Sequence, residues 1–172
     1  VAYRRQGDQC RKVFDVQGQD TQQLAGEIAL LAEDEPEGIE VSIIVDDTGV
    51  GGGVTDRLNE ESDNIRGGNC AIIPFNGGSA ADDDLHYANA VAEAWMELVK
   101  ALKAGHVDLD DNPAVVAQLS SRRKRIQGDR RLALEKKEDY KKRTKRSPDD
   151  ADALAMAYSP LCVSPSFRYF DP

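Results

Sequence analysis

Two groups of carboxylates, more than a hundred residues apart in a 172-residue chain, have the type and spacing to hold divalent cations. Asp46 and Asp47 end the apolar run Val41–Val45 and precede a glycine-rich turn; Asp149, Asp150 and Asp152 open a helix after Ser147 and Pro148. Hard oxygen ligands at a strand end and on a helix face, brought together by a fold, are the makings of a site for phosphodiester cleavage. Asp149 and Asp152, three apart, share one helix face, while Asp150 points elsewhere. Acids in a first helical turn also stabilise the helix dipole, which accounts well for Asp149 and Asp150. Asp152 lies one turn further on, between alanines that permit close packing, and the dipole explains it less well.

Charge places a second kind of chemistry beside the first. The chain carries a net charge of −9, yet from Arg122 to Arg146 there are 13 Lys/Arg against 4 Asp/Glu. A basic stretch running into an acidic cluster would set phosphate-attracting groups beside metal-attracting ones. The plainer alternative is a solvated face. The glycines at 49 and 51–53 invite a phosphate-loop reading, but the third glycine of a dinucleotide fingerprint falls on Val54 and no Lys-Ser/Thr pair follows. They are read instead as a sharp turn that lets Asp46 and Asp47 face an open cleft. His86 and His106 have no zinc-like spacing, and Cys10, Cys70 and Cys162 suggest neither disulfides nor a metal site but a reducing compartment. No apolar run approaches the roughly 18 residues of a membrane span.

The elements that must position these residues follow from periodicity. Val1–Arg5 and Cys10–Val16 predict a hairpin, and the start of the chain reads like the middle of a strand. Asp20 caps a helix whose stripe is Leu24, Ile28 and Leu31 and which ends near Pro36; Gln23 is expected to reach back. Val41–Val45 predicts a strand buried on both faces, Val54–Glu60 a helix, Ala71–Phe75 a strand. Tyr87–Ala104 predicts a long helix with Trp95 in the core, closed by Gly105, with Asp82, Asp83 and Asp84 as its N-terminal charge cap. Pro113–Leu119 predicts a short helix. Arg122–Ile126 and Arg131–Leu134 flank Gln127-Gly128-Asp129, a hairpin loop in which Gly128 is available for positive φ. Ser147 is expected to cap the last helix, with Pro148 at its first position, running to about Tyr158.

Taken together, Val45–Leu58, Glu135–Arg143 and Ser147–Leu154, in that order and spacing, resemble the C-terminal nuclease domain of tailed-bacteriophage terminase large subunits. The resemblance covers the chain to Tyr158. It implies an α/β, ribonuclease H-like fold: a mixed central sheet flanked by helices, with an inserted basic β-hairpin, over one domain of residues 1–160 and a tail of 161–172. It further implies two Mg2+ or Mn2+ ions about 3.5–4 Å apart that cut concatemeric double-stranded DNA during genome packaging. By this resemblance Asp46 is the strand-borne ligand and Asp152 the helix-borne one, with Asp149 auxiliary and Asp47 an alternative to Asp46. Arg122, Arg123, Lys124, Arg125, Arg130 and Arg131 in the hairpin, with Lys141 and Lys142 beyond it, are assigned to the DNA backbone. The implied partners are the terminase ATPase motor domain, the small terminase subunit and the portal, in the cytoplasm of a bacterial host and not at a membrane. The chain itself has no Walker A motif and so no motor.

Two departures bear on this expectation. The strand carrying the family's first catalytic aspartate is missing here, so one metal ligand is expected to be absent, as in a truncated piece or a decayed prophage product. The arginine that usually follows the asparagine of the long helix is also replaced, since Asn89 is followed by Ala90 and Val91. Two other functions stay open: a junction resolvase of related fold, and a non-catalytic remnant that binds DNA or a packaging partner.

Overall fold

The computed structural model describes residues 1–16, 18–49 and 51–162. In chain order the elements are β1 (Ala2–Gln6), β2 (Gln9–Phe14), α1 (Thr21–Glu33), β3 (Val41–Asp46), α2 (Gly51–Glu60), a 3-10 turn (Ile65–Gly68), β4 (Cys70–Phe75), α3 (Ala90–Ala104), β5 (Asp108–Leu109), α4 (Pro113–Ser121), β6 (Lys124–Ile126), β7 (Leu132–Leu134), α5 (Lys137–Thr144) and α6 (Asp149–Met156). The chain divides into two compact units, one of Val1–Val16 with Gly77–Pro160, the other of Gln17–Asn76 with Leu161–Pro172.

The second unit is a β-α-β module preceded by a helix. Asp20 caps α1 as its sequence predicts, accepting from Gln23 N at 2.8 Å. β3 and β4 run parallel, pairing Val41 with Cys70 through Asp46 with Phe75. Ala25, Ala32, Val54, Leu58 and Ile65 form the core, covered by Leu24, Ile28, Val41, Ile43 and Val45. No residue of β3 is fully buried and Ser42 is exposed, so the run is not the two-sided strand its composition suggests. Arg66 holds this unit's loops together. Its guanidinium donates to the carbonyls of Ala32, Glu35, Pro36 and Ile39 at 2.7–3.0 Å, tying the end of α1 to the loop that follows it.

The first unit holds a three-stranded mixed sheet of order β1-β2-β5, with β1/β2 antiparallel and β2/β5 parallel. α6 packs on α3, and its Ala151, Leu154 and Ala155 are essentially fully buried. α3 begins at Ala90, three residues later than the expected start at Tyr87. Asn89 caps it through Ala92 N, because the preceding segment is taken up by β7: Ala88 N donates to Leu132 O and Leu132 N to His86 O, each at 2.8 Å. Asp82 and Asp83 do not cap the helix; their backbone N–H groups donate to buried Glu93. In the β6–β7 hairpin the left-handed residue is Arg130 at φ 70°, not Gly128.

The glycine run also behaves differently from a loop. Gly51, Gly52 and Gly53 form the first turn of α2, and Gly49, at φ 80°, makes the turn before it. A Cβ on Gly51 would lie 1.6 Å from the carbonyl oxygen of Asp46, so only glycine lets this helix start against the end of β3. A Cβ on Gly52 would meet nothing closer than 3.8 Å. Gly51→Ala is therefore expected to destabilise the protein by about 3 kcal/mol or more through the forced clash. Gly52→Ala should instead be neutral or stabilising by up to about 1 kcal/mol through helix propensity. Parallel urea melts check the pair; equal effects would contradict the clash.

Candidate functional site

The first turn of α6 presents three carboxylates, and their surroundings sort them. Asp150 turns inward. Its oxygens accept from the Tyr3 hydroxyl and Gln118 Nε2 at 2.9 Å each and from Lys12 Nζ at 2.8 Å. Burial alone would raise its pKa, but these three donors outweigh it and hold it low. With its oxygens committed to β1, β2 and α4, Asp150 is a structural anchor.

Asp149 and Asp152 turn the other way and meet one cation. Lys137 Nζ, from the first residue of α5, lies 3.2 Å from Asp149 Oδ1 and 3.2 Å from Asp152 Oδ2. Burial would lower the Lys137 pKa, yet the two carboxylates outweigh it and push it up. Asp149 is held low because Ser147, whose hydroxyl donates to it, and Lys137 together outweigh its partial desolvation. Ser147 is thus a partner of Asp149 rather than the helix cap, a position taken by Pro148. Asp152 is the more enclosed of the pair, with 20% of its side chain exposed, and its Oδ1 accepts from the indole N–H of Trp95 at 3.0 Å.

In the other unit, Asp46 ends β3 with an exposed side chain whose Oδ1 accepts from the backbone N–H and hydroxyl of Thr48. Asp47 is half-buried, and its N–H extends the strand ladder by donating to Phe75 O at 2.9 Å. Among the described residues no group of three or more His, Cys, Asp or Glu side chains is placed to hold a metal ion. The Asp149/Asp152 pair nonetheless suits one chemically. It offers hard oxygen donors from one helical turn and already holds the positive charge of an ammonium.

The basic segment is divided in its use. Arg122 ends α4, half-buried, its guanidinium 5.8 Å from the Trp95 ring centre and 5.4 Å from that of Tyr140. Its Nε and Nη1 are buried and unbonded among the described residues, so much of this arginine packs within the unit. Arg131 pairs with Asp129 at 2.8 Å, and Lys142 stands 3.7 Å from Asp139. Arg143 binds buried Glu135 and the Ser121 carbonyl. Arg123, Lys124, Arg125, Arg130 and Lys141 are exposed, and their side chains make no hydrogen bond or ion pair among the described residues. Residue pattern alone does not single out Lys137, the inward anchoring of Asp150 or the Trp95 bond. Lys137 is one of many lysines in a basic run, and only α5, a helix without an apolar stripe, gives it a place.

No protein-family model and no curated protein matches the sequence. Solved structures do. The nuclease domain of the large terminase subunit gp2 of bacterial virus Sf6 superposes with a TM-score of 0.74 at 18% identity, over 91% of this chain and 80% of that one. A lysine-to-alanine mutant of that domain with manganese gives 0.75 at 18%, over 91% and 81%. A form of the mutant with calcium gives 0.75 at 18%, over 91% and 80%. The likeness establishes a shared mixed α/β fold of the ribonuclease H-like class.

Two outcomes follow from the sorting of the acids. The Asp150 pKa lies below its unfolded value of about 3.9, so its stabilisation is complete above that pH and lost as pH falls through the folded value. Asp150→Asn is expected to cost about 2 kcal/mol near neutral pH and to flatten the decline of stability below about pH 4 in acid melts. Lys137→Met should raise the Asp149 midpoint toward the ordinary aspartate range in a carboxyl NMR titration while leaving Asp150 where it is; an unmoved Asp149 would contradict the bridge.

Proposed function

We propose that the chain is a divalent-metal-dependent DNA endonuclease domain that cuts concatemeric double-stranded DNA during viral genome packaging. The observation that carries this reading is the cation-holding pair Asp149 and Asp152 on the first turn of α6. It occurs within a fold shared with nuclease domains solved with manganese and with calcium. Function belongs to the site rather than the fold, which is why the pair matters more than the superposition.

Asp152 would hold Mg2+ or Mn2+ together with Asp149, and Asp46 would serve as the strand-borne ligand, with Asp47 its alternative. When bound, such ions act as Lewis acids toward the phosphate and lower the pKa of a coordinated water. The residues of the chain do the rest. Lys137 offsets the like charge of the acid pair, and Trp95 donates to Asp152. Arg123, Lys124, Arg125 and Arg130 on the hairpin, with Lys141 on α5, would bind backbone phosphates without reading bases. Arg131 and Lys142 are each paired within the chain and would contribute only by releasing those partners. Residues 1–160 would act as one nuclease domain, in the cytoplasm of a bacterial host, beside an ATPase motor domain, a small terminase subunit and a portal. Among the described residues no helix is long and apolar enough to cross a membrane.

A second reading, DNA binding without cleavage, draws on the same lysine, since Lys137 already satisfies the acid pair. Incubating supercoiled plasmid with the protein in Mn2+ separates the two. The endonuclease reading expects nicking and linearisation that Asp152→Asn abolishes. DNA binding with no metal-dependent cleavage would favour the second, and preference for four-way junctions over linear duplex would mark a resolvase. Replacing Arg123, Lys124, Arg125 and Arg130 by Gln should reduce the slope of log binding constant against log salt by about 0.9 for each phosphate no longer neutralised. An unchanged slope would remove the hairpin from the interface.

A further inference from the structure

We infer that Trp95 is a positioning residue of the acid pair: its indole N–H fixes the Asp152 carboxylate so that Oδ2 is the oxygen presented to a divalent cation. The inference rests on the reading of Asp152 as a metal ligand. Trp95 is the single tryptophan of the chain and is 3% exposed on α3. Its Nε1 donates to Asp152 Oδ1 at 3.0 Å, while Asp152 Oδ2 faces Lys137 Nζ at 3.2 Å. Each carboxylate oxygen therefore has a distinct role, one taken by the protein interior and one turned to a cation.

The ring is itself held. Arg122 lies against one side at 5.8 Å and in turn against Tyr140 at 5.4 Å, and Tyr140 shares a 2.9 Å hydrogen bond with Ser121. Packing of α6 on α3 sets the separation at which indole and carboxylate meet. A carboxylate on a free side chain samples several rotamers, and a fixed donor to one oxygen removes that freedom before a metal arrives. Loss of such an orienting partner typically lowers metal affinity by about 10–100-fold. A purely structural tryptophan would use Asp152 only to satisfy its N–H, and its removal would leave metal affinity unchanged.

The single indole N–H gives one cross-peak in a 15N spectrum, a direct probe of this bond. The peak is expected to move when Asp152→Asn weakens the acceptor without any metal present, and to move again as Mg2+ is added, with the midpoint found by calorimetry. Trp95→Phe, which keeps an aromatic ring but removes the donor, is expected to bind Mg2+ about 10-fold or more weakly. Equal affinity in Trp95→Phe, or an indole peak that Mg2+ leaves in place while calorimetry records binding, would overturn the inference and leave the metal-site reading intact. Should Trp95→Phe not fold, the wild-type indole peak decides alone. Wild-type protein that binds no Mg2+ would overturn both.

Discussion

Three carboxylates in the first turn of one eight-residue helix repel one another, and the first unit is organised around separating them. Asp150 does this by turning inward to Tyr3, Lys12 and Gln118, which belong to β1, β2 and α4. Successive helical residues are about 100° apart, so fixing one side chain fixes the rotation of the helix. With Asp150 pinned inside, Asp149 and Asp152 must point to another sector, where Lys137 meets both. The anchor thus determines which acids are left for chemistry. It is a different residue from those whose spacing marks them as candidates.

The basic segment obeys the same logic in reverse. Its cations are sorted by whether a neighbour has claimed them. Arg143 neutralises buried Glu135, Arg122 lies between two aromatic rings, and Lys137 bridges the acid pair. The exposed hairpin arginines and Lys124 have no such claim among the described residues. Net charge conceals this sorting, because a chain of −9 can still present a strongly positive hairpin over a short range. At physiological salt, exposed charges more than about 8 Å apart are largely screened, so a DNA phosphate would respond to the hairpin and not to the total.

Much of the fold was legible because it follows apolar period and caps: α1 from Asp20, β3 and β4 from β-branched runs, α4 from Pro113, and both arms of each hairpin. What escaped had no such signal. α5 buries only Tyr140 and so has no stripe, and β5 is two residues long. Gly51–Gly53 looked like a loop because helix propensity disfavours glycine, whereas the close approach of Asp46 O overrides propensity at the first of them. In the site, spacing put Asp149 and Asp152 on one face of α6 and Asp150 elsewhere, as the structure has them. The partners each face meets were not legible, because they come through contacts spanning 147 residues to Tyr3 and 57 to Trp95.

Two carboxylates that share one helix face repel each other unless a cation meets both. Asp149 and Asp152 share the first turn of α6, and Asp152 is largely removed from water, so leaving both uncompensated would be costly. Lys137 resolves this with a single charge on a flexible four-carbon stem. An ammonium gives up such a position more readily than a bidentate arginine would, because it is a point charge with no fixed fork. A lysine at this point therefore neutralises the acid pair while remaining displaceable, which a buried apolar residue in the same position would not do.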